Sequence, residues 1–330
     1  MKFLLQLFIS IFILNSSVLQ AQPKIIFDTD IGTATDDLGA LAMLHNFVKN
    51  GNCELLAIMS WETDKYTVSA IDAINRFYLH PNIPIGTRKD SITTSEIKYN
   101  KTIADNFEHT LTYNDVPDAT KLYRKILASA DDSSITIIAV GPLLNIQRLI
   151  QSQPDSFSPL TGAELISKKV KEIAIMGGEF PKGKNEFNFN GNMPGVTKFV
   201  IDHLKIPIVF SGFELGAQIK TGKIFNETDK QTPLYQGFLY SSKHAPWTKD
   251  RFDGKILPSA SFDQTVVLYV VIGGVDKYWT KIENGKCVVA NNGDNHWKKG
   301  KKTNHAYLKL KEKPEKIAQI IDAIMLNRLE

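Results

Sequence analysis

Four carboxylates, Asp28, Asp30, Asp36 and Asp37, fall within ten residues in the stretch Ile25-Ile26-Phe27-Asp28-Thr29-Asp30-Ile31-Gly32-Thr33-Ala34-Thr35-Asp36-Asp37-Leu38. Charges that close repel strongly unless a shared proton, a Lys or Arg, or a metal cation lies among them. No basic residue stands between Asp28 and Asp37. Oxygen donors with no Cys or His beside them suit Ca²⁺ or Mg²⁺ better than Zn²⁺. A purely structural alternative is an acidic helix start, with Asp36 and Asp37 capping the helix and complementing its dipole. It accounts for the second pair and leaves Asp28 and Asp30 unexplained.

The elements that must hold these acids are legible around them. The stretch opens as an apolar run of strand type, breaks at Gly32 and resumes as an amphipathic helix from Asp36. The acids therefore lie at the C-terminal end of a strand, the edge of an open α/β sheet at which ligands bind. Further apolar runs at 54–59, 84–86, 135–140, 173–176 and 206–210 read as strands. Between them, helical spacing appears at 38–48, 68–78, 122–128, 144–151 and after Pro194. Strands alternating with helices predict right-handed crossovers and a mostly parallel central sheet flanked by helices, an α/β fold. Beyond Leu215 the pattern turns more helical, through 234–242, 263–271 and a last helix over 314–329. Residues 88–116 are polar and weakly periodic, and read as a loop near the site.

Composition bounds the rest. A chain of 330 residues with 43% hydrophobic and 22% charged content has material for a sizeable core. A net charge of +4, with both signs interspersed, gives no support to nucleic-acid binding. Met1-Lys2, an apolar run over 3–14 and a small residue at Ala21 read as a secretory signal cut after Ala21. The run is too short for a comfortable bilayer span, and no Cys at the cut offers a lipid anchor. The expectation is a signal peptide over 1–21 and one exported catalytic domain over 22–330, periplasmic or secreted. Cys53 and Cys287 are expected as buried free thiols. The basic stretch Lys298-Lys299-Gly300-Lys301-Lys302 reads as a solvated hairpin turn. Oligomeric state is left open, a homo-oligomer included.

Other polar groups sit at predicted strand ends. Val140 precedes Gly141-Pro142, so its carbonyl is released from the ladder and is able to face a cation. Glu186 and Asn188 alternate across Phe187 and would both reach sugar hydroxyls if that segment is extended. Asp263 begins a helix after Phe262. Taken alone, these read equally well as a polar loop and an ordinary acidic helix start.

In order, these residues carry a resemblance. Asp28-Thr29-Asp30-Ile31-Gly32 with Asp36-Asp37 is similar to the opening signature of the inosine-uridine preferring nucleoside hydrolase family. Val140-Gly141-Pro142-Leu143-Leu144-Asn145, Met176-Gly177-Gly178 with Glu186-Phe187-Asn188, and Asp263 resemble its later landmarks. The resemblance implies a parallel-sheet fold holding one Ca²⁺, with Asp30, Asp37, the Val140 carbonyl and Asp263 as its ligands. It implies Asp30 as the base that takes a proton from the attacking water. Asp36, Glu186 and Asn188 would hold the ribose hydroxyls, and Asp28 would support that shell. The implied activity is hydrolysis of the N-glycosidic bond of ribonucleosides or related ribosides to base and ribose.

The chain departs from the family in places. Two extra residues lie between Gly32 and the acidic pair, and Ser60-Trp61-Glu62 lacks an Asn that meets the sugar in many members. Phe262 stands where many members carry a His, and a phenyl ring donates no proton. His244 is the candidate replacement donor, with Trp247 able to stack on a base, both on an expected loop; the plain readings are a surface histidine and a packed core tryptophan. Two other functions compete. One is a nucleoside- or sugar-binding protein of the same fold without catalysis. The other is a haloacid dehalogenase-like phosphatase with Asp28 as nucleophile, which leaves Asp37 and Asp263 without a role.

Overall fold

The computed structural model describes residues 22–90 and 98–328, so the expected signal segment lies outside the described residues. In chain order the strands are β1 (Lys24–Thr29), β2 (Glu54–Ser60), β3 (Ile85–Thr87), β4 (Ile135–Ala139), β5 (Val170–Met176), β6 (Lys182–Gly183) and β7 (Ile208–Ser211). The short β8 (Lys220–Thr221) and β9 (Ser259–Ala260) follow, then the long pair β10 (Trp279–Val289) and β11 (Asn295–Leu310). The central sheet runs β10-β11-β7-β5-β4-β1-β2-β3, with β6 attached to β11; β8 and β9 form a separate ribbon. From β3 to β7 every pairing is parallel, and β11 continues parallel onto β7.

The middle strands are buried on both faces, which is why they read as continuous apolar runs rather than alternating ones. Neighbouring side chains still point to opposite layers. Phe27 joins the layer of Leu41, Phe47 and Val267, whereas Ile26 joins that of Tyr123, Ile137 and Phe210. The helix Asp36–Lys49 is buried over almost all of its first three turns, against the helices Phe262–Ile272 and Pro314–Met325. Cys53 and Cys287 are buried free thiols. Among the described residues no helix is long and apolar enough to cross a membrane.

Three expectations are corrected. Beyond Leu215 the three expected helices appear as Pro233–His244, Phe262–Ile272 and Pro314–Met325, but the sequence reading missed β10 and β11, which form an antiparallel hairpin on the sheet edge. Lys298–Lys302 lies inside β11 as exposed, bulged strand rather than at a hairpin turn. Its lysines face water on a strand whose pairing is supplied by β10 upstream, so local composition gives no strand signal. The segment 88–116 carries the helix Asn100–Asn106, of which only Asn100, Ile103 and Ala104 are buried. A helix of two turns with so narrow a buried stripe has little periodicity to read. Residues 91–97 of the segment lie outside the described residues.

Candidate active site

From β1 the chain winds outward to β2 and β3, then returns at β4 to β1's other side and continues to β5 and β7. The loops after β1 and β4 thus leave in opposite directions, and a crevice opens at the strands' C-terminal ends. Asp30 follows β1 and Val140 follows β4. The two ends are stitched by the Val140 N–H, which donates to the Asp28 carbonyl at 2.8 Å. Gly141 is pressed onto Asp30: a Cβ there would lie 3.0 Å from its backbone nitrogen and its Oδ1.

The acidic turn is fixed by bonds from its own strand and from a distant segment. The Thr29 hydroxyl donates to Asp37 Oδ1, and the Ile31 N–H donates to Thr29 Oγ1 at 3.2 Å. The Gly32 N–H donates to the Tyr99 hydroxyl at 3.1 Å, which donates in turn to the Ala34 carbonyl at 3.0 Å. Asn100 Nδ2 donates to the Ile31 carbonyl and to Thr67 Oγ1, both at 2.9 Å. Asp28 is held separately, with Tyr123 donating to its Oδ2 at 2.8 Å and Asn145 Nδ2 to its Oδ1 at 3.0 Å.

One oxygen from each of Asp36, Asp37 and Asp263 lies within 4.8 Å of the others, and all three residues are buried. Asp263 comes from the first turn of the helix Phe262–Ile272, more than two hundred residues along the chain from Asp37. Its Oδ2 is buried with no hydrogen-bond partner. Three buried carboxylates, one with an orphaned oxygen and none with a nitrogen or sulfur donor among them, fit a hard divalent cation. The close set contains Asp36, which the resemblance gives to the sugar, while Asp30 stands outside it, partly exposed at the crevice.

Electrostatics point the same way. Burial pushes Asp30 up to about 8, Glu62 and Asp36 add to the rise, and Lys98 opposes it. Burial likewise carries Asp36 and Asp28 to about 7. Asp37 and Asp263 lie well above the usual carboxylate range, first through burial and then through their acidic neighbours. Burial and mutual repulsion thus favour the protonated forms of these acids, and a cation among them would favour the ionised forms.

Glu186 does not lie on an extended segment. It caps the short helix Phe187–Asn190, its carboxylate accepting the N–H groups of Gly178 (2.7 Å), Phe189 (3.0 Å) and Asn188 (3.1 Å). The carboxylate thereby satisfies backbone donors at the start of the helix that would otherwise lack a partner, which holds the segment in a turn. Asn188 Nδ2 donates to the Val140 carbonyl at 2.7 Å and to the Met176 carbonyl at 3.2 Å, so the later landmarks meet at one point. His244 is the last residue of the helix Pro233–His244 rather than part of a loop, and its ring lies 4.4 Å from that of Tyr240. The same helix reaches the acidic turn through Ser241, whose hydroxyl donates to the Thr33 carbonyl at 3.2 Å. Trp247 lies in the turn that follows and is 52% exposed, so it is no core residue.

Two charged residues of the site escape sequence reasoning. Lys98 forms a buried ion pair with Glu62, and both act on Asp30. A Cβ on Gly32 would touch Lys98 Cδ at 3.2 Å, so the lysine lies across the acidic turn. A basic residue therefore does sit beside the acids, supplied from outside the motif. Its ammonium pairs with Glu62 and also acts on Asp30, while among the described residues no ion pair reaches Asp36, Asp37 or Asp263. The only sequence signal was the reading of 88–116 as a loop near the site. The third overlooked residue is Phe213, just after β7, whose ring stacks on Phe262 with centroids 5.0 Å apart.

Comparison with known proteins agrees with this geometry. A search among curated proteins finds no match. Solved structures of the same fold include an inosine-uridine preferring nucleoside hydrolase from Bacillus anthracis, with 14% identity and a TM-score of 0.64 over 93% of this chain and 100% of that one. An inosine-guanosine nucleoside hydrolase gives 16% and 0.66 over 94% and 100%. The type III effector protein XopQ, determined with adenosine diphosphate ribose, gives 13% and 0.67 over 94% and 95%. Identities this low speak to fold alone. The sequence profile of the inosine-uridine preferring nucleoside hydrolases matches residues 25–323, so the chain belongs to that metal-dependent family and is an N-ribosyl hydrolase acting on nucleosides.

Proposed function

We propose that the protein binds one Ca²⁺ through Asp37, Asp263, Asp36 or Asp30, and the Val140 carbonyl, and that Asp30 is the base of the hydrolysis. The observation that carries this reading is the convergence of Asp36, Asp37 and Asp263 beside a buried oxygen of Asp263 that has no partner. A divalent cation there supplies charge that holds a sugar diol and acidifies a water. Asp30, half-buried beside the cluster, takes the proton as water attacks the anomeric carbon. The surrounding carboxylates stabilise the positive charge that develops on the ribose ring. Glu186 and Asn188 line the sugar on the β5 side, Glu186 held rigid by three backbone donors. The structure of XopQ, of the same fold, holds adenosine diphosphate ribose, in keeping with a ribose-bearing ligand here.

Asp28 is an implausible phosphatase nucleophile, since both of its oxygens accept bonds from Tyr123 and Asn145 and it is 3% exposed. We read it as supporting the acidic turn from below. We also read residues 1–21 as an export signal and 22–330 as one catalytic unit. The test is release of ribose from a panel of purine, pyrimidine and nicotinamide ribosides, with metal analysis of the dialysed protein. Full activity of metal-free protein in chelator overturns the cation; binding of a riboside without turnover on any leaving group overturns the hydrolase.

A further inference from the structure

Phe213 and Phe262 form a two-ring stack at the start of the helix that carries Asp263. Phe262 is joined directly to Asp263, and its ring is pinned from behind by Gly216, where a Cβ would lie 2.6 Å from Phe262 Cδ1. Phe213 stacks on it at 5.0 Å and 24°, yet remains 45% exposed. Its backbone N–H donates to the Gly178 carbonyl at 2.8 Å, and the Gly178 N–H is bound by Glu186. The ring is thus anchored at both ends to residues of the site while it leaves a face uncovered. Phe187, between Glu186 and Asn188, is 59% exposed as well. The stacked, partly open pair next to the acidic site has the apolar, aromatic character of a small-molecule pocket lining.

A phenyl wall suits a planar ring, and the electron-rich face of phenylalanine favours a cationic one. The neighbouring charge has the same sense. Asp30, Asp36, Asp37 and Asp263, if ionised, together exceed the charge of one divalent ion, and Lys98, which also acts on Asp30, is paired with the further carboxylate of Glu62. The wall itself has no proton to give.

We propose that Phe213 and Phe262 are the leaving-group subsite and that the preferred substrates are N-ribosyl pyridinium cations, of which nicotinamide riboside is the probe. This rests on the hydrolase reading above. In the step, a water oxygen bonds to the anomeric carbon and the carbon–nitrogen bond breaks. The bonding pair passes to the ring nitrogen, which becomes neutral, so the base departs without a proton. The proton lost by water goes to Asp30. With a purine nucleoside the same cleavage would leave a negative charge on the base, and nothing in the wall quenches it.

The experiment measures ribose release from nicotinamide riboside, inosine and nitrophenyl riboside by the Ca²⁺-loaded protein and by Phe213→Leu and Phe262→His, each checked for folding by circular dichroism. Phe213→Leu keeps bulk and removes the π face; as a substitution at a surface ring it leaves the core packing alone. The expected result is kcat/KM on nicotinamide riboside at least tenfold above inosine. Phe213→Leu raises KM for nicotinamide riboside about tenfold and that for the uncharged nitrophenyl riboside by a smaller factor, and Phe262→His narrows the gap to inosine. Equal rates on inosine and nicotinamide riboside, or indifference to Phe213→Leu, overturn the subsite and leave the hydrolase standing. No ribose from any of the three substrates overturns the hydrolase and the subsite together.

Discussion

The ammonium of Lys98 is paired with the carboxylate of Glu62 across 36 residues of sequence, and the two side chains are only 8% and 11% exposed. Removing one partner of such a pair strands a charge out of water, which costs far more than the pair contributes. Lys98→Met should therefore destabilise the metal-free protein by about 3 kcal/mol. Adding Glu62→Gln should restore more than half of that loss. Urea unfolding of the two single variants and the double variant reads the coupling. Strictly additive effects would show that the charges do not depend on one another.

Asp30→Asn removes the proposed base and keeps the shape of the side chain. Turnover should drop by about 10³ or more, the range expected for loss of a general base. Far-ultraviolet dichroism should be unchanged, because Asp30 is partly exposed at the rim of the crevice. A folded variant with near wild-type kcat would remove Asp30 from the chemistry.

Metal and pH are linked through the buried acids. Asp28 and Asp36 rise from 3.8 to about 7 and Asp30 to about 8, so the folded metal-free protein holds protons that the unfolded chain has lost. Such groups favour folding fully at pH below the unfolded value, and their contribution is lost as pH climbs through 7 to 8. The melting temperature of the protein in chelator should fall between pH 5 and 8. Bound Ca²⁺ competes with those protons, so its stabilising effect should grow over the same interval. Scanning calorimetry with and without Ca²⁺ checks both slopes, and a Ca²⁺ effect as large at pH 5 as at pH 8 would contradict the linkage.

Tyr123→Phe deletes one of the two donors to Asp28 and leaves a buried carboxylate oxygen unpaired. The loss should be about 1–3 kcal/mol. Because Asp28 ionises near 7 and an ionised oxygen accepts more strongly, the cost should be larger at pH 8 than at pH 5. Denaturant melts of the variant at the two pH values measure it. A cost independent of pH would mean that Asp28 keeps the same charge across that range.

The family resemblance implied Asp37 and Asp263 among the site's acids; what the sequence pattern by itself determined is the α/β alternation and the strand-break-helix form of the acidic stretch. These are local properties: the expected strand at 54–59 appears as Glu54–Ser60, and the expected helix at 144–151 as Leu144–Gln151, because burial period and turn residues act within a few positions. What only the tertiary structure decided is which distant groups share the crevice. Lys98 reaches Glu62, Phe213 reaches Phe262, and Asn188 reaches the Val140 carbonyl through sheet order, which no spacing in the chain encodes. The strand at Lys298–Lys302 was hidden for the same reason, since its partner β10 supplies the pairing that its own lysines do not advertise. Glu186 reads in sequence as an open acid, yet it folds back to cap a helix because three backbone donors of the folded turn were there to be satisfied.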